Sequence, residues 1–229
     1  MCRKSKFCTE LNKDPEKWNK RCPLSLPNYF NEAVDGFTIA ISKIVEGSFK
    51  ESLKAFEDFD SDAVGNFFIE HGQQSSYSRV SNWKKIKIEN KLNRRPNPSP
   101  RNPTERLTRE VFERDFYRCR YCGLKIIPKE VFSEYSRIVG SNNFSVARKN
   151  SERNGLTLGL RGVADHVYPH SLCGRTELDN LVTSCYSCNF GKAEYTLKQI
   201  GIEDPRFKQP KDDSWRGLME FLSALKGIN

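Results

Sequence analysis

Four of the eight cysteines stand in two pairs of identical spacing, Cys119-Arg120-Tyr121-Cys122 and Cys185-Tyr186-Ser187-Cys188. Together they offer four thiolates, the number that closes the tetrahedron of a structural zinc ion. In a reducing compartment two matched Cys-x-x-Cys pairs read as metal ligands before disulfides or a redox pair. Such an ion would pin both ends of the long excursion between the pairs. Within or just beyond that excursion lie Asp165-His166, Asn180, Asn189 and Lys192. A lone histidine is more often packed or simply on the surface, so these residues need their order to carry meaning.

That order is specific. The strings Ala164-Asp165-His166-Val167-Tyr168-Pro169-His170-Ser171, then Gly174, then Asp179-Asn180-Leu181-Val182, then Cys185-Tyr186-Ser187-Cys188-Asn189-Phe190-Gly191-Lys192 resemble the HNH endonuclease family. The approach Glu110-Val111-Phe112-Glu113-Arg114-Asp115 into Cys119 is similar to that family as well, and the resemblance covers roughly residues 104–200. It implies a ββα-metal finger: a strand ending near Asp165-His166, a long loop, a second strand near Leu181–Ser184 and a helix starting around Ser187. Leu156, Leu158 and Leu160 alternate as if feeding the first strand, and Leu181-Val182-Thr183 favours the second.

Phosphodiester hydrolysis needs an activated water, neutralisation of phosphoryl charge and a stabilised leaving oxygen. By the resemblance His166 is the general base, a task that suits an imidazole titrating near neutral pH. Asn180 holds the His166 side of the site, although a turn-forming asparagine explains it equally. Asp165 and Asn189 would supply oxygen ligands to catalytic Mg²⁺ or Mn²⁺, while Cys119, Cys122, Cys185 and Cys188 hold Zn²⁺. The motif is a His-Asn-Asn variant, and an amide oxygen suits a hard cation. Lys192 and His170 are the candidate nucleic-acid contacts, set against a solvated lysine and an ordinary loop histidine. Cys173 reads as a free thiol. Cys2, Cys8 and Cys22 lack a fourth ligand unless His71 folds in.

The elements that must position these groups read as α+β: a small helical N-terminal domain followed by the C-terminal ββα-metal HNH domain. Phe30, Val34, Phe37, Ile41 and Ile44 make a helical stripe, with Asn28 as cap and Gly47 as stop. Ser48 and Glu51 have capping-box spacing ahead of Leu53 and Phe56, and Val64, Phe67 and Phe68 form a third stripe before Gly72. Four prolines between Arg94 and Pro103 forbid regular helix and mark a linker. The expected division is 1–95, a partner or regulatory module; 96–103, the linker; and 104–229, the nuclease domain with an insertion over 124–160. Leu107, Val111 and Phe112 predict a helix leading to Cys119, and Val131–Val139 another. Trp215, Leu218, Leu222 and Leu225 predict a terminal one after Asp212-Asp213-Ser214.

The net charge of +9 divides as −2 over residues 1–77 (10 basic, 12 acidic), +7 over 78–110 (10 and 3) and +4 over 111–229 (18 and 14). The basic middle suits a polyphosphate partner by counterion release, or is a solvated linker. Arg148, Lys149 and Arg153 could contact DNA from the insertion, or lie on a mobile surface loop. The acidic-leaning N-terminal module is poorly suited to gripping DNA alone. It suggests a protein partner, such as a regulatory ATPase or a sensor in a restriction or antiphage defence complex. With no long apolar run and no signal-like start, the chain is expected to be soluble and cytoplasmic. The competing reading is a zinc-organised nucleic-acid-binding module that lacks the chemistry.

Overall fold

A computed structural model of the protein describes residue 23, residues 26–56, residue 59, residues 61–69 and residues 98–228. Cys2, Cys8, Cys22, His71 and residues 78–97 of the basic stretch 78–110 lie outside the described residues. The fold is α+β, with eight α-helices and one two-stranded antiparallel sheet among the described residues.

The N-terminal stripe forms α1 (Tyr29–Val45), followed by α2 (Phe49–Lys54) and α3 (Ser61–Phe67). Gly47, at φ +81°, reverses the chain after α1, a conformation that favours glycine. Neither Asn28 nor Ser48 caps its helix through its side chain. Phe30, Val34, Phe37 and Ile41 are fully buried, and their partners lie far along the chain. Phe37 packs on Phe132, Tyr135 and Phe144 at ring separations of 5.1–5.5 Å. The Ser52 hydroxyl donates to Ala40 O and accepts from Tyr135 OH, joining α1, α2 and the helix that carries Tyr135. One continuous core therefore contains residues from both sides of the proline-rich segment. The apolar stripe of α1 is spent inside this molecule.

Beyond the proline-rich segment, α4 (Glu105–Arg114) is capped by the Thr104 hydroxyl, which accepts from the Leu107 N–H. Then come α5 (Lys129–Val139) and a short α6 (Gly155–Gly159). The expected leucine strand is corrected here: Leu156 and Leu158 lie within α6, and Leu160 is its C-cap. The Asn154 side chain accepts from the Leu156 N–H, which starts the helix, and all three leucines are buried. Full burial on every side removes the distinction between period 2 and period 3.6.

Helices α3 and α6 cross at two glycines. A Cβ on Gly155 would lie 1.8 Å from the Ser61 carbonyl oxygen, and one on Gly65 would lie 2.8 Å from Gly155 Cα. Gly155→Ala is expected to separate these helices and to destabilise the protein by about 1–3 kcal/mol or more, as overpacking does. Thermal melting against wild type would read this; an unchanged melting temperature would mean that the crossing yields without cost.

Strand β1 (Gly162–His166) pairs with β2 (Leu181–Cys185), with Asp165 opposite Val182 and His166 opposite Leu181. Helix α7 (Tyr186–Lys192) follows β2 directly. Asp115, fully buried at the end of α4, fixes β2: its carboxylate accepts from the Thr183 N–H at 2.7 Å and pairs with Arg114 and Arg120. A buried carboxylate needs such partners, and here they join α4, the first cysteine pair and the sheet. The terminal helix is shorter than expected. Gly217 and Leu218 have positive φ, so only α8 (Leu222–Gly227) is α-helical, while the Trp215 indole docks separately on Ile126 O.

Candidate active site and zinc knuckle

The first cysteine pair sits on a tight turn. The Cys119 N–H donates to Leu124 O and the Gly123 N–H to Cys119 O, with Gly123 at φ +81°. The second pair spans the junction of β2 and α7, where Cys185 is the N-cap residue and its sulfur accepts from the Cys188 N–H. The four sulfurs lie within 4.8 Å of one another, with Cys122 and Cys185 Sγ 3.8 Å apart. Zn–S bonds of about 2.3 Å in a tetrahedron put sulfurs roughly 3.8 Å apart. Burial opposes ionisation of Cys119, but hydrogen bonds from the other three thiols win and hold it well below the usual thiol range. Burial pushes Cys188 well up. The donor set is four converging sulfurs, and a divalent cation bound there would let all four ionise.

Tyr121 links this knuckle to the catalytic candidates. Its hydroxyl donates to Asp165 Oδ2 at 2.7 Å, and Lys192 Nζ lies 3.4 Å from the same oxygen. Asp165 is 6% exposed, Tyr121 4% and Lys192 1%. Burial raises the Asp165 carboxyl above its ordinary range, against the opposing pull of Lys192 and Tyr121. Lys192 therefore sits in the interior as the counter-charge of Asp165, not on the surface where a phosphate would meet it. Both partners of Asp165 are on Oδ2, which leaves Oδ1 as the oxygen for a cation. Asn189, partly exposed on α7, is the amide donor expected beside it.

At the far end of β1, His166 Nε2 is 2.8 Å from Thr176 Oγ1, and its ring meets that of His170 edge-on at 5.4 Å. Burial lowers the His166 pKa to about 4, aided by the charges of His170, Lys192 and Arg101. Asn180 is buried and clamps the intervening loop: Oδ1 accepts from the Tyr168 N–H, and Nδ2 donates to the carbonyls of Tyr168 and Arg175. It thus holds the backbone that carries His170 and Thr176. His170 is half-buried and donates from Nε2 to Ser99 O at 2.9 Å.

Sequence reading missed Tyr121, Thr176, Ser99 and the exposed Arg101. Tyr121 sits between two ligands, a position that signals nothing about where its hydroxyl points. Ser99 approaches Thr176 from 77 residues upstream, a distance no local pattern spans. In the insertion, Arg153 donates to Ala147 O and Lys149 pairs with exposed Glu152, so the loop is partly braced on itself. Cys173 is exposed and not in a disulfide.

A small antiparallel sheet followed by a helix, with Asp-His closing the first strand and a four-cysteine cluster at the end of the second, is the ββα arrangement that the resemblance implied. The family model of the HNH endonuclease matches residues 161–194, which span β1, the loop, β2 and α7. No curated protein and no solved structure matches the chain. No helix among the described residues is long and apolar enough to cross a membrane.

Proposed function

We propose that the protein is a metal-dependent endonuclease that hydrolyses DNA phosphodiester bonds, with His166 as general base. The observation that carries this reading is the half-buried His166 imidazole beside Asp165 at the end of β1, within the segment that matches the HNH family. Asp165 and Asn189 would hold Mg²⁺ or Mn²⁺, and Cys119, Cys122, Cys185 and Cys188 would hold Zn²⁺. A hard cation there would supply charge neutralisation for the phosphoryl and leaving oxygens. The chain's own groups do the rest. His166 takes a proton from water, Asn180 keeps the loop in place, and His170 and the exposed Arg101 would contact the phosphate.

The experiment is plasmid nicking by the purified full chain with Mg²⁺ or Mn²⁺, against an EDTA control. Nicking that depends on the cation supports the reading; no nicking of plasmid, linear duplex or single-stranded DNA overturns it. The lowered pKa of His166 adds a prediction. A histidine held down to about 4 stays neutral, and so basic, throughout the neutral range. Cleavage is expected to persist as pH falls through about 6.5, where an ordinary imidazole is half protonated, and to be lost towards pH 4. A rate that halves near pH 6.5 would contradict it.

The Lys192–Asp165 ion pair favours a second reading, a zinc-organised module that binds DNA without cutting it, because the carboxylate already has a cationic partner. DNA binding without nicking at any cation concentration would select that reading. A role in restriction or antiphage defence is the reading given to the nuclease as a whole, and phage plating on cells with wild-type or His166→Ala protein tests it.

A further inference from the structure

The Thr176 hydroxyl is at the centre of a hydrogen-bond set. It donates to Pro100 O, it lies 3.3 Å from the Ser99 hydroxyl, and it lies 2.8 Å from His166 Nε2. Ser99 Oγ also accepts from the Thr176 N–H at 2.8 Å, and the Ser99 carbonyl receives His170 Nε2 at 2.9 Å. A hydroxyl has one hydrogen and two lone pairs. The Pro100 carbonyl can only accept, so the Thr176 hydrogen is committed to it. The Ser99 hydroxyl and His166 Nε2 must then both donate to Thr176 Oγ1.

We propose that Thr176, held by the Ser99–Pro100 segment of the linker, is a positioning residue that fixes His166 in its Nε2–H tautomer and so leaves Nδ1 as the nitrogen that accepts a proton. This rests on the nuclease reading for its catalytic consequence, though not for the tautomer itself. The linker is thereby part of the site. The Ser99 carbonyl orders His170, the Pro100 carbonyl acts through Thr176 on His166 at the end of β1, and the exposed Arg101 follows directly. A residue that acts on a catalytic imidazole through one hydrogen bond is worth far more than its contribution to stability, because the wrong tautomer offers a hydrogen where a lone pair is needed.

The chain has three histidines, so ¹⁵N-histidine labelling of the full-length protein reads the tautomer directly, with His166 assigned by the signal lost in His166→Gln. Wild type is expected to show His166 as Nε2–H. Thr176→Val, of nearly the same shape, is expected to give a mixed tautomer and to lower the cleavage rate roughly 10- to 100-fold at unchanged DNA affinity. Thr176→Ser should restore both. Thr176→Ala, which introduces no new bulk, is read in the same way and serves if the valine variant melts early. An Nδ1–H tautomer in wild type, or Thr176→Val and Thr176→Ala with wild-type tautomer and rate, overturns the proposal. If wild type cuts nothing, the nuclease reading fails, and the tautomer signals still decide the role of Thr176.

Discussion

Zinc removal, or replacement of Cys188 by serine, is expected to abolish the native fold of the C-terminal region. Cys188 and Cys185 are fully buried, and the sulfurs of the two pairs converge from segments far apart in the chain, joined there by the Arg120 N–H donating to Thr183 O. Without the metal, four thiols would occupy a pocket that cannot ionise them all. Structural zinc contributes apparent free energies on the order of 10–16 kcal/mol in small zinc domains, which exceeds the total stability of most single domains. Loss reaches the site directly. Tyr121 sits between two of the ligands and donates to Asp165, and α7 starts at Cys185. Metal analysis should find one zinc per chain in wild type, and circular dichroism should show cooperative unfolding on chelation. A chelated protein that keeps its melting temperature would show that the cysteine cluster is not a metal site.

His166→Ala should produce the largest change in catalysis. A positioned general base contributes typically 10²–10⁴-fold, and His170, the other imidazole among the described residues, is turned to the Ser99 carbonyl. The substitution removes a half-buried side chain that stays neutral near pH 7, so folding and DNA affinity should change little. The two measurements are a nicking time course and a binding isotherm at matched salt, since contacts to phosphate weaken steeply with ionic strength. Activity that survives the substitution would mean that another group takes the proton. DNA binding that is lost with activity would instead make His166 a substrate contact.

The local pattern of the chain determined much of this protein. The two cysteine pairs and the stripe of α1 are legible because each is a short-range pattern, while the strand ending at Asp165-His166, the second strand and the helix after it are what the resemblance to the HNH family implied. Spacing, periodicity and cap residues act over a few residues. Where two periods coincide, sequence was insufficient: Leu156, Leu158 and Leu160 alternate as a strand would, yet the cap at Asn154 and the close approach of Gly155 to α3 make that segment helical. Charge was misleading in the same way. Lys192 reads as a surface cation, but the register of α7 turns it inward to Asp165, where desolvation is tolerable because the two charges compensate.

Only the tertiary structure decided what holds the candidate catalytic groups. The Tyr121 hydroxyl on Asp165 and the Ser99–Pro100 segment on Thr176 and His170 join residues 44 and more than 70 positions apart. Burial of the α1 stripe against Phe132, Tyr135 and Phe144 joins segments still further apart. A sequence specifies such contacts only through the whole packed core. Buried hydroxyls, carbonyls and carboxylates must find partners somewhere, and the chain alone does not say where.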